Sequence, residues 1–248
     1  MTGRVVGGLA IVLAVTVLVA RWASLTVLAP DDGSRLTERH HVAAPTPPAV
    51  DPDVPPGEPL GPPEPDPAWV EETAAATDIP EPALRAYARA HLASDPTCVV
   101  GWTTLAGIGW VESQHGTIGG RDLDGDGRPS RRILGPALDG SGSFAAIPAT
   151  PRSSGWHGDP HWEHAVGPMQ FIPASWETWA TDGDGDGTAD PHDLDDAAAA
   201  ARRYLCAGDP DLGTAADWER AVFSYNHATS YVEAVHDAAT AYAAEAPR

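Results

Sequence analysis

Residues 101–116 read GWTTLAGIGWVESQHG. At 100° per residue, Leu105, Ile108, Gly109 and Glu112 fall on one face, so the stretch predicts a buried helix that stops at Gly116. Glu112 then stands at the C-terminal end of an apolar stripe, close to the negative pole of the helix dipole. Both surroundings disfavour its anion, raise its pKa and keep it protonated near neutrality, the state a general acid needs. The bland alternative is a glutamate exposed beyond the helix end.

Working outward, helical spacing recurs. Leu84, Tyr87, Ala88, His91 and Leu92 repeat at helical intervals after Pro80 and Pro82. Leu194 to Cys206 is alanine-rich, with Asp195 and Asp196 in its first turn and Arg202 and Arg203 in its last, matching the dipole. Thr214 with Asp217, and Ser230 with Glu233, have the spacing of N-terminal capping boxes. No long alternation of apolar and polar residues appears, so the fold is expected to be mainly α, with at most minor β structure (α+β). Cys98 and Cys206 are the only cysteines. Outside the cytoplasm they are expected to form a disulfide closing a long loop; the alternative is two unpaired buried thiols.

Two further segments carry sugar-binding chemistry. Gln170 lies between apolar neighbours just before Pro173, which is suited to start a helix. Tyr225, Asn226 and Tyr231 bring hydroxyls, an amide and flat rings to a helix junction. Sugars need such polar edges and aromatic faces together. Taken singly, each segment is equally well read as a core aromatic beside a satisfied amide.

Two Asp-Gly runs invite comparison with calcium loops. In the run from Asp182 to Asp193, Asp182, Asp184, Asp186, Asp190 and Asp193 fall at positions 1, 3, 5, 9 and 12 of an EF-hand loop, with Gly187 at the sharp turn. The Thr188 carbonyl takes position 7. Ca²⁺ is the expected ion, held by Asp182, Asp184, Asp186, Thr188 and Asp193; Asp at position 12, where Glu is usual, is a departure, and a solvated acidic loop is the alternative. The run from Asp122 to Ile133 ends in an apolar residue and holds Arg128, Arg131 and Arg132, so it is read as a salt-bridged surface loop. Around it, residues 119–162 are rich in Gly, Pro and Ser and read as a long insertion, with room for a short hairpin.

Residues 1–29 contain an apolar run, Val5 to Ala20, that is short for a bilayer span unless it continues through Arg21 to Ala29. An uncleaved membrane anchor and a cleaved signal peptide both remain open, and either places the rest outside the cytoplasm. Residues 30–67 include 12 prolines and few apolar side chains, the composition of a disordered linker. That leaves 68–248 as one domain. The net charge of −20, with 35 acidic residues against 15 basic ones that are all Arg, argues against nucleic acid as a partner.

The order DIPEPALRAYARA, GIGWVESQHG, GPMQFIPASW and FSYNHATSYVEAV resembles the lytic murein transglycosylases of the membrane-bound lytic transglycosylase B type. The resemblance covers nearly all of residues 70–240. It implies a lysozyme-like fold, a cell-envelope location and cleavage of the MurNAc-β-1,4-GlcNAc bond of peptidoglycan with formation of 1,6-anhydro-MurNAc. It also implies Glu112 as sole catalytic acid/base, Ser113 as its support beside the substrate, and Gln170, Tyr225, Asn226 and Tyr231 lining the glycan groove. Relatives of this type carry an EF-hand-like loop in the same region, also ending in Asp. Glycan strands are the expected partner of a monomer. A hydrolytic muramidase on the same fold and a non-catalytic wall-binding module are the rival readings.

Overall fold

A helix with glycine on two of its faces can be approached closely from two sides, and α3 (Trp102–Ser113) is built that way. At Gly107 an added Cβ would sit 2.7 Å from the Val235 carbonyl, and at Gly109 one would sit 1.9 Å from the Tyr87 hydroxyl. Every residue from Trp102 to Gly109 is buried. The computed structural model describes residues 45–50, 61–142 and 145–247, and α3 lies at the centre of that part of the chain.

Around α3 stand α1 (Pro67–Thr77), α2 (Glu81–Leu92), α6 (Leu194–Leu205), α7 (Ala215–Tyr225) and α8 (Thr229–Glu245). The short helices α4 (Ser154–His157) and α5 (Pro173–Trp179) lie between α3 and α6 in sequence. The main contacts pair α3 with α8 and α2 with α6. Ala197 to Ala201 are all buried, and their small side chains let α2 pack closely on α6. Leu84, Tyr87, Leu105, Ile108, Leu194, Val232 and Val235 join in one core. Each large aliphatic fully buried there contributes roughly 1.5–3 kcal/mol.

Local chemistry sets the helix ends. Asp66 caps α1 by accepting from Ala68 N at 2.8 Å, and Pro173 opens α5. Thr214 caps α7 by accepting from Asp217 N at 3.3 Å, as its spacing predicts. The box expected at Ser230 and Glu233 does not form. Helix α8 begins two residues earlier than that box requires, at Thr229, with Ala228 at the N-cap and no side-chain cap, and it packs closely on α3. Cys98 and Cys206 form the expected disulfide, joining the approach to α3 to the end of α6 across 108 residues of sequence.

The chain between α3 and α6 is organised differently. It runs through turns and isolated bridges, among them Leu134↔Val166, Asp139↔Ala146 and Pro148↔Trp162. A buried polar knot stands where a core would be. The Ser153 hydroxyl donates to Glu163 Oε1 at 2.6 Å, and His157 Nε2 lies 3.0 Å from Glu163 Oε2. Asp159 N donates to His157 Nδ1, which fixes the neutral tautomer with its proton on Nε2.

The described strands are β1 (Ala49–Val50) and β2 (Glu64–Pro65), paired antiparallel with Ala49 opposite Pro65. They belong to the stretch expected to be a disordered linker, and its described parts depart from that expectation. Pro47 and Pro65 are buried, and Trp102 Nε1 donates to the Pro45 carbonyl at 3.2 Å. Glu64 pairs with Arg89 at 2.6 Å, and Arg89 pairs in turn with buried Asp195 at 2.5 Å. Proline content hid these anchors, which use carbonyls and ion pairs in place of apolar side chains. The expected membrane segment 1–29 and linker residues 30–44 and 51–60 lie outside the described residues. Among the described residues no helix is long and apolar enough to cross a membrane.

Candidate active site

Glu112 occupies the last turn of α3, one residue before its end. It is half-buried, and the loss of solvation pushes its pKa up to about 8. The Tyr231 hydroxyl, from α8, donates to Glu112 Oε1 at 2.8 Å and pulls slightly the other way. No other carboxylate contributes to that balance among the described residues. At neutral pH Glu112 is therefore mostly a neutral acid, carried on a rigid helix and oriented by one phenol.

Tyr231 is buried, and its ring stacks on that of Tyr225, centroids 6.4 Å apart with planes 6° from parallel. The Tyr225 hydroxyl donates to the Met169 carbonyl at 2.8 Å. Burial raises both phenols well above their ordinary pKa, with the neighbouring Glu112 adding to it, so both stay neutral donors. Gln170 sits in a left-handed turn at φ +50°, its side chain donating to the Gly167 carbonyl at 2.8 Å. Gln170 and Tyr225 line a small open depression together with Phe171, Ile172, Ser175 and Tyr204.

Four of the expected residues thus converge: Glu112 meets Tyr231, which stacks on Tyr225, which shares the depression with Gln170. Asn226 caps the end of α7 next to Tyr225. Ser113 is fully buried, and its hydroxyl is already used, donating to the Pro168 carbonyl at 2.5 Å and accepting from Gly116 N at 2.8 Å. It staples the end of α3 to the turn that carries Gln170, which suits a support for Glu112 better than a contact with ligand.

Tyr204 joins the depression without any sequence signal. It stands on the alanine-rich helix with its hydroxyl bonded to the Ser224 carbonyl at 2.6 Å. His115 is a second unforeseen feature. It lies between the Tyr87 hydroxyl at 3.2 Å and the Tyr242 hydroxyl at 2.9 Å, and burial drives its pKa down to about 3. A neutral imidazole there ties the α3 end to α2 and α8.

In the acidic loop, carboxylate oxygens of Asp182, Asp184 and Asp196 lie within 4.8 Å of one another. Backbone amides preset them: Asp182 accepts from Gly185 N and Gly187 N, and Asp196 accepts from Gly183 N and Asp190 N. Burial pushes Asp196 up to about 7. Three hard oxygens in partly desolvated surroundings fit a Ca²⁺-type ion. The set differs from the expected one. Asp193 is turned away to cap α6 and to meet Arg128 at 2.9 Å, while Asp186 lies 3.5 Å from the same guanidinium. Asp196, three residues beyond the twelve-residue pattern, stands in the cluster instead. Its place in the first turn of α6 fits a role in complementing the dipole equally well, so the pattern alone did not single it out.

Residues 155–213 match the family described as Transglycosylase SLT domain. The matched span holds Gln170, the acidic loop and α6, and stops short of Glu112 on one side and Tyr225 on the other. That match supports an enzyme that cleaves the glycan of peptidoglycan. Among solved structures, the Escherichia coli lytic transglycosylase SLT35 in complex with bulgecin A is similar at 18% identity over 72% of this chain and 75% of that one, with a TM-score of 0.42. The same enzyme in complex with calcium is similar at 17% identity over 72% and 75%, also at 0.42. A 36 kDa muramidase/transglycosylase is similar at 17% over 72% and 76%, at 0.41. No curated protein matches the chain significantly.

Proposed function

We propose that this chain is a lytic transglycosylase with a lysozyme-like fold, exported to the cell envelope, that cuts the MurNAc-β-1,4-GlcNAc bond and leaves a 1,6-anhydro-MurNAc end. The observation that supports it best is the isolated Glu112, kept neutral by burial and held by Tyr231. A two-carboxylate glycosidase needs a second acid about 5–9.5 Å from the first. Protonated Glu112 gives its proton to the glycosidic oxygen as the C1–O bond breaks. The resulting carboxylate then takes the proton of the MurNAc 6-hydroxyl as O6 bonds to C1. One group thus serves as acid and then as base, and no water is consumed.

In this reading Tyr231 orients Glu112, Ser113 steadies the end of α3, and Gln170, Tyr225 and Asn226 contact the sugars. Residues 1–29 anchor or export the chain, which works as a monomer. Ca²⁺ is structural, held by Asp182, Asp184 and Asp196, and ties the loop to α6. Digestion of sacculi followed by mass spectrometry tests the reaction. Anhydro ends are expected; reducing ends alone would make the enzyme a hydrolytic muramidase, and no cleavage at all would leave a wall-binding module.

A further inference from the structure

Seven aspartates lie between Asp182 and Asp196. The fold divides them three ways. Asp182, Asp184 and Asp196 turn their oxygens toward one another. Asp195 is taken by Arg89 at 2.5 Å. The remaining three, Asp186, Asp190 and Asp193, meet Arg128 at 3.5, 2.7 and 2.9 Å. Arg128 belongs to the other Asp-Gly run, more than fifty residues earlier. It is presented by a turn that is already closed by its own bonds: Asp124 Oδ1 accepts from Asp126 N and Arg128 N, and Arg85 donates to the Gly125 carbonyl. A guanidinium projected from a fixed turn loses less freedom on pairing than one on a loose arm, and its forked donors reach several carboxylates at once.

We propose that Arg128 is a counter-ion supplied by the protein, which the acidic loop shares with a divalent cation. It pairs with Asp186, Asp190 and Asp193 and offsets part of their charge, leaves Asp182, Asp184 and Asp196 for the ion, and keeps the loop closed when the ion is absent. This inference rests on the calcium reading above. It also accounts for the first Asp-Gly run, whose sequence imitates a calcium loop: its product is a cation for the second run. Without Arg128 the outer carboxylates would repel the inner ones, and both Asp186 and Asp193 would be released toward the ion. Arg128 and the ion, both positive, therefore repel each other while both close the loop.

The test uses the full chain with Arg128→Gln and Arg128→Lys. Calcium is titrated by calorimetry, and melting is followed in chelator and in excess calcium. Arg128→Gln is expected to bind calcium about tenfold more tightly, the order of one partly screened unit charge. In chelator it should melt about 3 °C lower than the parent, a difference that calcium removes. Arg128→Lys, which keeps the charge but not the fork, should bind calcium like the parent and melt in chelator between the parent and the Gln variant. Equal calcium affinity in the parent and the Gln variant overturns the sharing while leaving calcium binding intact. Absence of binding in both overturns the calcium reading and the sharing with it. Equal melting in chelator overturns the claim that Arg128 closes the empty loop.

Discussion

The helices that carry Glu112 and the turn-rich stretch between α3 and α6 are held together by different forces. In the first, the side chains of Leu84, Leu105, Ile108 and Val235 are buried without polar atoms, Gly107 lets the α8 backbone close up, and Gly109 makes room for the Tyr87 phenol. In the second, the interior is Ser153, His157 and Glu163, each satisfied by the others. Apolar packing gives a stiff frame against which one lone acid can be desolvated and held neutral. Hydrogen-bonded packing gives a definite shape only while every partner is present, since an orphaned buried group costs about 1–3 kcal/mol. The enzyme places its candidate acid on the stiff frame and its acidic loop and substrate-side turn on the polar stretch.

The contrast can be broken at graded cost. The largest effect is expected from Glu112→Gln, which removes the proton donor while keeping shape: turnover on sacculi should fall by roughly 10³-fold, with circular dichroism unchanged. Next comes the staple of the helical frame. Replacing Cys98 and Cys206 by Ala should lower unfolding stability by about 3–5 kcal/mol in a denaturant titration, because the bridge closes a loop spanning 108 residues. In the polar stretch, Glu163→Gln should cost about 1–2 kcal/mol, since one of the two oxygens that accept from Ser153 and His157 becomes an NH2 that can only donate. Hydrogen exchange should show that loosening near residues 147–166 and leave α3 and α8 protected.

The last test sharpens the comparison through pH. Glu112 is needed protonated, so activity should decline with an alkaline limb near pH 8, about tenfold per unit above it. Because its folded pKa lies above the ordinary carboxyl value, the folded state binds the extra proton. Its contribution to stability therefore weakens as pH rises from about 4.5 to 8. Glu112→Gln should lose that decline and melt higher than the parent at pH 9. An alkaline melting curve identical for both proteins would show that Glu112 is solvated like a surface acid.

How much the sequence disclosed follows the same division. The helices declared themselves by period, by Pro173, and by the Thr214 cap, and the apolar face put Glu112 where the structure has it. Tyr225 and Tyr231 were legible as residues, but their stacking across the junction of α7 and α8 required the fold. Polar pairings with no period left no such trace. Nothing in the spacing of Ser153, His157 and Glu163 announces a knot, and nothing links Arg128 to aspartates some sixty residues away. Asp196 was missed for a related reason: a fixed twelve-residue template stops at Asp193, while the chain folds back one helical turn later.

The two short strands before α1 bear on how the protein is handled and on how it carries load. Glu64 is the outer partner of Arg89, whose inner partner Asp195 adjoins Asp196. A truncation that begins at residue 68 strips away one of the two acids that Arg89 holds, together with the Pro45 carbonyl that receives Trp102. Any pull exerted through the chain upstream of Ala49 meets a clasp before it meets the first helix, and that clasp ends one residue from the acidic loop. The strands before α1 are thus tied through Arg89 to α6, the helix that carries Asp195 and Asp196.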